Sequence, residues 1–328
     1  MSDARSSSAT GTITAEPAAP YRGRFAPSPS GPLHFGSVIA AVGSYLEART
    51  RGGEWLVRIE DLDPPREKPG AADQILRTLE ALGLHWDGPV LRQSSRNEAY
   101  QSALRHLEAM RLTFSCRCSR SRLSSLPQNA ERREGEELFH PEVCQDPGAD
   151  GLGSSTRFRS RTREISFDDR SLGPQRFNVA KGAGAFVLRR RDGYFAYQLA
   201  VVVDDASQGI TDVVRGADLL GSTPRQILLQ EALGLPRLTY MHLPLAVTAD
   251  GDKLSKSGDA PAVDSAEPAP KLTLALAFLG QDPPGDLARA SLADLWSWAV
   301  SNGRPQQFSG IGRREVVGAH RIVQENKA

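Results

Sequence analysis

Residues 24–37, Arg-Phe-Ala-Pro-Ser-Pro-Ser-Gly-Pro-Leu-His-Phe-Gly-Ser, restrict this chain more than any other stretch. Tyr21 to Ala26 reads as a short strand. Pro27, Pro29 and Ser30-Gly31-Pro32 then break regular structure, because proline fixes φ and has no N–H to give to a helix or a sheet. From Ser37 to Arg51, Val38, Ile39, Val42, Tyr45 and Leu46 recur at helical spacing, and Gly52-Gly53 ends the pattern. The order is strand, Gly/Pro-rich loop, helix. The first N–H groups of a helix lack intrahelical acceptors and carry partial positive charge, so this mouth suits a phosphate. His34 and Ser37 add side-chain donors there. The same spacing equally fits an ordinary β–loop–α turn of a parallel sheet.

The next segments repeat that alternation. Glu54 to Glu60 is a second strand, broken by Asp61-Leu-Asp63-Pro64-Pro65. Gly70–Leu84 and Ser95–Met110 are amphipathic helices, with Ile75, Leu76, Leu79 and Leu82, then Tyr100, Leu104, Leu107 and Met110, facing inward. Strands alternating with helices predict an α/β domain with a parallel sheet, whose ligands sit beyond the carboxyl ends of the strands. That rule sets Glu60 beside the 27–37 loop.

A different pattern begins at Thr113. Cys116, Cys118, His140 and Cys144 form a Cys-x-Cys…His-x3-Cys set. Three thiolates and an imidazole suit a closed tetrahedral zinc site, structural rather than catalytic; three unrelated reduced cysteines are the other reading. Ser124 to Glu137 reads as a loop, Asp146 to Ser155 as a Gly-rich connection, and Thr156–Arg159, Glu164–Phe167 and Phe186–Arg190 as short strands. Arg189, Arg190 and Arg191 suit either a nucleic acid or a solvated turn. Residues 112–194 thus read as an inserted α+β subdomain between two α/β halves, 21–111 and 195–258.

The second half opens with the apolar run Tyr194–Asp205. A strand over Gly209–Asp218, a helix over Pro224–Leu235 and a last strand over Leu238–Val247 follow. Asp250-Gly-Asp-Lys253-Leu-Ser-Lys256-Ser257-Gly258 then places two lysines three apart in a Ser/Gly loop, able to set two ammonium groups on a polyphosphate. Helix candidates at Lys271–Leu279 and Leu292–Asn302 make 259–328 a short helical C-terminal region. Residues 1–20 hold almost no large apolar side chain and are expected to be a disordered tail.

Composition excludes some classes. In 328 residues, 39% hydrophobic and 24% charged content fit a globular core rather than a disordered chain. A net charge of +1 advertises no polyanion partner, though a basic face can be balanced elsewhere. An odd count of three cysteines argues against a disulfide framework and for the cytoplasm. No apolar run approaches the roughly 18 residues of a membrane span. A monomer is expected.

Together the motifs resemble the class I aminoacyl-tRNA synthetases. His34-Phe-Gly-Ser37 stands where that class has His-Ile-Gly-His, and Lys253-Leu-Ser-Lys256-Ser257 where it has Lys-Met-Ser-Lys-Ser. Arg24-Phe-Ala-Pro-Ser-Pro-Ser-Gly, Val57-Arg-Ile-Glu-Asp61 and Gly209–Asp218 resemble the glutamyl/glutaminyl subgroup. The short stretch after Ser257 and the Cys-x-Cys site resemble the glutamyl-queuosine tRNA(Asp) synthetase branch, where a Tyr commonly replaces His140. Ser37 departs from the second His of the class motif, and Leu254 replaces Met.

The resemblance implies a Rossmann-type catalytic domain and a two-step reaction. The α-carboxylate of L-glutamate attacks the α-phosphorus of ATP without any tRNA; the glutamyl group then passes to queuosine at the wobble position of tRNA(Asp). By match, His34, Gly36, Ser37, Lys253 and Lys256 bind ATP with Mg²⁺, and His34, Lys253 and Lys256 are catalytic. Arg24, Phe25, Ala26, Pro27, Ser28, Glu60, Tyr197 and Arg215 form the glutamate pocket, with Arg24 on the side-chain carboxylate and Glu60 on the α-ammonium. A shortened glutamyl-tRNA synthetase and a small-molecule acid–amine ligase of the same fold are the alternatives.

Overall fold

β1 (Arg22–Phe25) enters the proline-rich loop, and α1 (Phe35–Thr50) leaves it for β2 (Glu54–Ile59), α2 (Ala71–Ala81) and β3 (Leu91–Arg92). α3 (Asn97–Ala109), β4 (Thr113–Cys116), α4 (Arg120–Ser125) and β5 (Ser155–Phe158) come next. β6 (Glu164–Asp169), β7 (Gly173–Asn178) and β8 (Phe186–Arg189) precede α5 (Tyr197–Ser207) and β9 (Asp212–Gly216). α6 (Thr223–Leu233), β10 (Thr239–Leu243), β11 (Leu245–Val247), α7 (Pro268–Phe278), α8 (Leu292–Asn302) and β12 (Arg313–Glu315) end the series. This computed structural model describes residues 20–127, 137–144, 146–147, 153–161, 164–247, 267–304 and 313–315. The expected tail over 1–20 lies outside the described residues except for Pro20, and Lys253 and Lys256 lie outside them entirely.

β1 pairs in parallel with β2, from Arg22↔Glu54 to Phe25↔Val57, and β2 in parallel with β3. A second sheet has the order β7-β6-β10-β9. β10 runs parallel to β9 from Thr239↔Asp212 to Leu243↔Gly216. The two sheets meet where Thr211 N donates to the Arg22 carbonyl (2.9 Å) and Arg22 N donates to Thr211 Oγ1 (2.9 Å). From this seam the chain runs outward to β2 and β3 on one side and from β9 to β10 on the other. Such a divergence opens a crevice at the carboxyl ends of the strands.

Helix α1 covers the seam and is buried along most of its length. Val38, Val42 and Leu46 pack into one core with Trp55, Val57 and Leu272, so α7 and α8 close over α1 from the far side. Each such side chain contributes about 1.5–3 kcal/mol by leaving water. A second core joins α3, α5 and α6 to β6 and β8 through Tyr100, Leu199, Ile227, Ile165 and Phe186.

Several local expectations change. The apolar run at Tyr194–Asp205 contains α5, whose period is hidden because the helix is buried nearly all round. The strand expected over Leu238–Val247 is two: Pro244 lacks the N–H a sheet ladder needs, so β10 stops at Leu243 and β11 pairs with β12 instead. Ser124 and Ser125, the first two residues of the expected 124–137 loop, end α4. β7, Gly-Pro-Gln-Arg-Phe-Asn, carries no strand signature and forms because β6 templates it through six antiparallel pairs. β6 itself pairs in parallel with β10 at Tyr240↔Asp169, so this hairpin joins the large sheet, while β4, β5 and β8 make a small antiparallel sheet of their own.

Candidate active site and metal centre

His34 is the N-cap of α1. Its backbone is extended, and its Nδ1 accepts from Ser37 N (3.2 Å) while Ser37 Oγ lies 3.1 Å from its Nε2. The imidazole is therefore folded over the first turn. A Cβ on Gly36 would sit 3.1 Å from that ring, so this position favours glycine. Ser37, in place of a second histidine, braces the first. Ser37 N and Val38 N also bond to the His34 carbonyl.

This helix mouth opens into a cavity of about 490 Å³ at the β1/β9 seam. Arg24, Phe25, Ala26, Pro27 and Ser28 line it, as do His34, Gly36, Ser37, Glu60, Tyr197 and Arg215. All candidates from the first and second halves of the domain thus share one space, apart from the two lysines. Leu245 and Ala246 of β11 line it too.

Two clusters of hydrogen-bonded polar groups stand at this cavity. In the first, Arg24 is 3% exposed and turns Nε (3.1 Å) and Nη2 (3.3 Å) onto Asp205. Arg58 Nη1 also donates to Asp205 (2.8 Å), and its Nη2 donates to Glu60 (3.3 Å). One fork of Arg24, expected on a substrate carboxylate, therefore holds Asp205 instead, which leaves the two N–H groups of Nη1 and one of Nη2. Burial disfavours charge on Asp205, but the two guanidiniums outweigh it and hold this carboxyl below the usual range. Glu60 goes the other way: burial raises it more than Arg58 and Arg24 lower it.

In the second group, Arg215 of β9 makes five hydrogen bonds. Nε donates to His242 Nε2 (3.2 Å), Nη1 to Gln226 Oε1 (2.9 Å) and Tyr197 Oη (3.3 Å), and Nη2 to Thr223 Oγ1 (2.7 Å) and the Leu219 carbonyl (3.4 Å). Arg58 lies inside the Val57–Asp61 motif without a role assigned to it; Asp205, His242 and Asp169 carried no motif, and only the fold brings them to the site. The sequence signal at Asp205 and His242 is polar character inside an apolar run; Asp169, between Asp168 and Arg170, has none.

The Cys/His set also assembles. Donor atoms of Cys116, Cys118, His140 and Cys144 all lie within 4.8 Å of one another. Cys116 Sγ is 3.2 Å from His140 Nε2, and Cys118 Sγ is 3.8 Å from Cys144 Sγ. Gly184 fixes His140 from behind: it has φ +65°, and an added Cβ would lie 2.0 Å from the His140 carbonyl. Three sulfurs and one ring nitrogen at this separation fit a tetrahedral metal. A second cavity of about 710 Å³ is lined by Cys118 of this set and shares Ser28, Glu60, Arg66 and Tyr197 with the first. Arg120, Arg157, Arg190 and Arg191 line its walls with Phe195. Within the Arg189–Arg191 cluster, Arg190 is held by Asp63 (2.7 Å) and Asp192 (2.6 Å).

Residues 21–268 match the family model for the catalytic domain of class I tRNA synthetases (E and Q). The glutamyl-Q tRNA(Asp) synthetase of Dechloromonas aromatica is 53% identical over 299 residues, covering 91% of this chain and 98% of that protein. The chain belongs to the glutamyl-Q tRNA(Asp) synthetase family. It is accordingly a ligase. The family member of Chromobacterium violaceum is 52% identical over 86% of this chain and 93% of its own. Among solved structures, a glutamate-tRNA synthetase from Elizabethkingia anophelis superposes with a TM-score of 0.71 at 26% identity, over 90% of this chain and 68% of that one. The class I synthetase fold expected from the motifs is thus the fold observed, with a parallel sheet carrying the cavity. Among the described residues no helix is long and apolar enough to cross a membrane.

Proposed function

We propose that this chain activates L-glutamate with ATP, taken as its magnesium complex, and then transfers the glutamyl group to queuosine in the anticodon of tRNA(Asp). One observation carries the reading: Arg24, Glu60, Tyr197 and Arg215 line the same cavity as the His34 helix mouth. Arg24 meets the side-chain carboxylate through Nη1, and Arg215 closes the pocket from the neighbouring strand. Glu60 takes the α-ammonium. The α-carboxylate is left to attack the α-phosphorus, the bond to the β-phosphate breaks, and pyrophosphate leaves.

His34, Gly36 and Ser37 hold ATP at the start of α1, where backbone N–H groups and dipole favour phosphate. Lys253 and Lys256 neutralise charge growing on pyrophosphate, so the catalysis is positioning and electrostatics rather than covalent chemistry. In the second step the acceptor nucleoside displaces AMP. The arginine-lined second cavity, opening beside Glu60 and Tyr197, is the chamber for it. Cys116, Cys118, His140 and Cys144 fit zinc, which would tie α4 and β4 to the 140–144 loop and take no part in the reaction. The names of the relatives support the acceptor.

Charging total tRNA with labelled glutamate and mapping the label tests this. Label on the wobble nucleotide of tRNA(Asp), with pyrophosphate exchange proceeding without tRNA, is expected. Label on a 3′-terminal adenosine instead marks a shortened glutamyl-tRNA synthetase.

A further inference from the structure

Arg215 divides its hydrogen bonds by length and by side. His242, Gln226 and Thr223 take three N–H groups at 3.2, 2.9 and 2.7 Å, and none of these residues lines the cavity. Tyr197 and the Leu219 carbonyl take the other two at 3.3 and 3.4 Å, and both residues do line it. The guanidinium is thus anchored from behind on Nε and one N–H of each Nη. Its loosely held N–H groups, one on each Nη, face the space where a ligand carboxylate would replace Tyr197 and Leu219. Two parallel N–H donors make the bidentate edge that a carboxylate matches.

The anchor depends on the protonation pattern of His242. Its Nε2 accepts from Arg215 Nε and lies 3.2 Å from Thr223 Oγ1, whose hydroxyl is free to donate because its oxygen receives Arg215 Nη2. Nε2 therefore carries no proton, and the ring proton sits on Nδ1. Asp169 fixes that tautomer: Oδ2 lies 2.6 Å from His242 Nδ1. Its Oδ1 in turn accepts from the backbone N–H of Ser171, Leu172 and His242, at 3.0, 2.9 and 3.2 Å. Both side chains are fully buried. A tautomer set by the partner of the other ring nitrogen is a general device for orienting what the first nitrogen touches.

We infer that His242, locked by Asp169, is a positioning residue for glutamate: it holds Arg215 so that the cavity-side edge of the guanidinium meets a substrate carboxylate. This rests on the glutamate-activating reading above. The β6–β7 hairpin thereby serves the amino-acid pocket of the large sheet, although it contributes no residue to the cavity wall.

Two variants separate the two ring nitrogens. His242→Asn keeps a donor near the Nδ1 position and places nothing at Nε2. His242→Gln reaches the Nε2 position with an amide oxygen. In glutamate-dependent pyrophosphate exchange, His242→Asn should raise KM for glutamate at least tenfold and leave KM for ATP within twofold. His242→Gln should return KM for glutamate to within about threefold of wild type. Equal effects of the two variants, or KM values for glutamate and ATP rising together, overturn the inference, as does loss of folding in both variants by thermal melting. A wild-type protein without glutamate-dependent exchange sinks the reading of the site, and this inference with it.

Discussion

Arg24 answers to two masters. Asp205 takes the Nε N–H and one N–H of Nη2, which leaves the two N–H groups of Nη1 and one of Nη2. A lysine has one ammonium on a flexible stem and cannot bridge both carboxylates in fixed geometry. Arg24→Lys should leave the buried Asp205 half-paired with Arg58 and weaken glutamate capture, with kcat/KM for glutamate in pyrophosphate exchange falling about 100-fold, near 3 kcal/mol. An activity within threefold of wild type would show that Arg24 belongs to the scaffold only. At this scale the resemblance grouped Arg24, Glu60, Tyr197 and Arg215, all four of which line one cavity. It did not supply Asp205 or His242, because a polar residue in an apolar run reveals its partner only when the strand opposite is known.

Between elements, the β6–β10 contact is an electrostatic joint. Burial, with Arg215 beside it, pushes the His242 imidazole down to about 4, against the upward pull of Asp169 and Asp218. Above pH 6.5 the ring is neutral in both folded and unfolded chains. As pH falls from 6.5 towards 4 the unfolded chain takes up a proton that the folded one refuses, so stability is lost across that window. The full effect is on the order of 3 kcal/mol. Urea unfolding between pH 7 and 4.5 should show a steeper loss in the wild type than in His242→Gln, by about 1.4 kcal/mol per pH unit within the window. Equal slopes would mean that the imidazole titrates normally. Element boundaries were mostly legible because apolar spacing and prolines mark them. β7 was not, since pairing with β6 decides it; the β10/β11 break has its mark in Pro244, and what was hidden there is that β11 pairs with β12.

For the whole molecule, the arginine-lined chamber takes Cys118 of the Cys/His set and Ser28, Glu60, Arg66 and Tyr197 of the first cavity into one wall lining. A zinc ion held by these four metal-site residues, Cys116, Cys118, His140 and Cys144, would contribute to folding by tying residues 116–118 to residues 140–144. Stripping metal with a chelator should lower Tm and release one zinc per chain by atomic absorption. It should reduce transfer to tRNA more than tRNA-independent pyrophosphate exchange. An exchange rate falling in step with transfer would place the metal in support of the activating site instead.

Some of this protein was written in local order. A strand, a proline-rich loop and a helix mouth can be read along the chain because φ restriction and helical period are properties of neighbouring residues. The donor set between 116 and 144 is legible for the same reason, its ligands being close in sequence and unusual in chemistry. Which carboxylate holds Arg24, which partners hold Arg215, and that Asp169 of an apparent insertion reaches His242 were settled only in three dimensions. Those contacts span from 27 to 181 residues of chain and depend on strand order and burial, which no local spacing encodes.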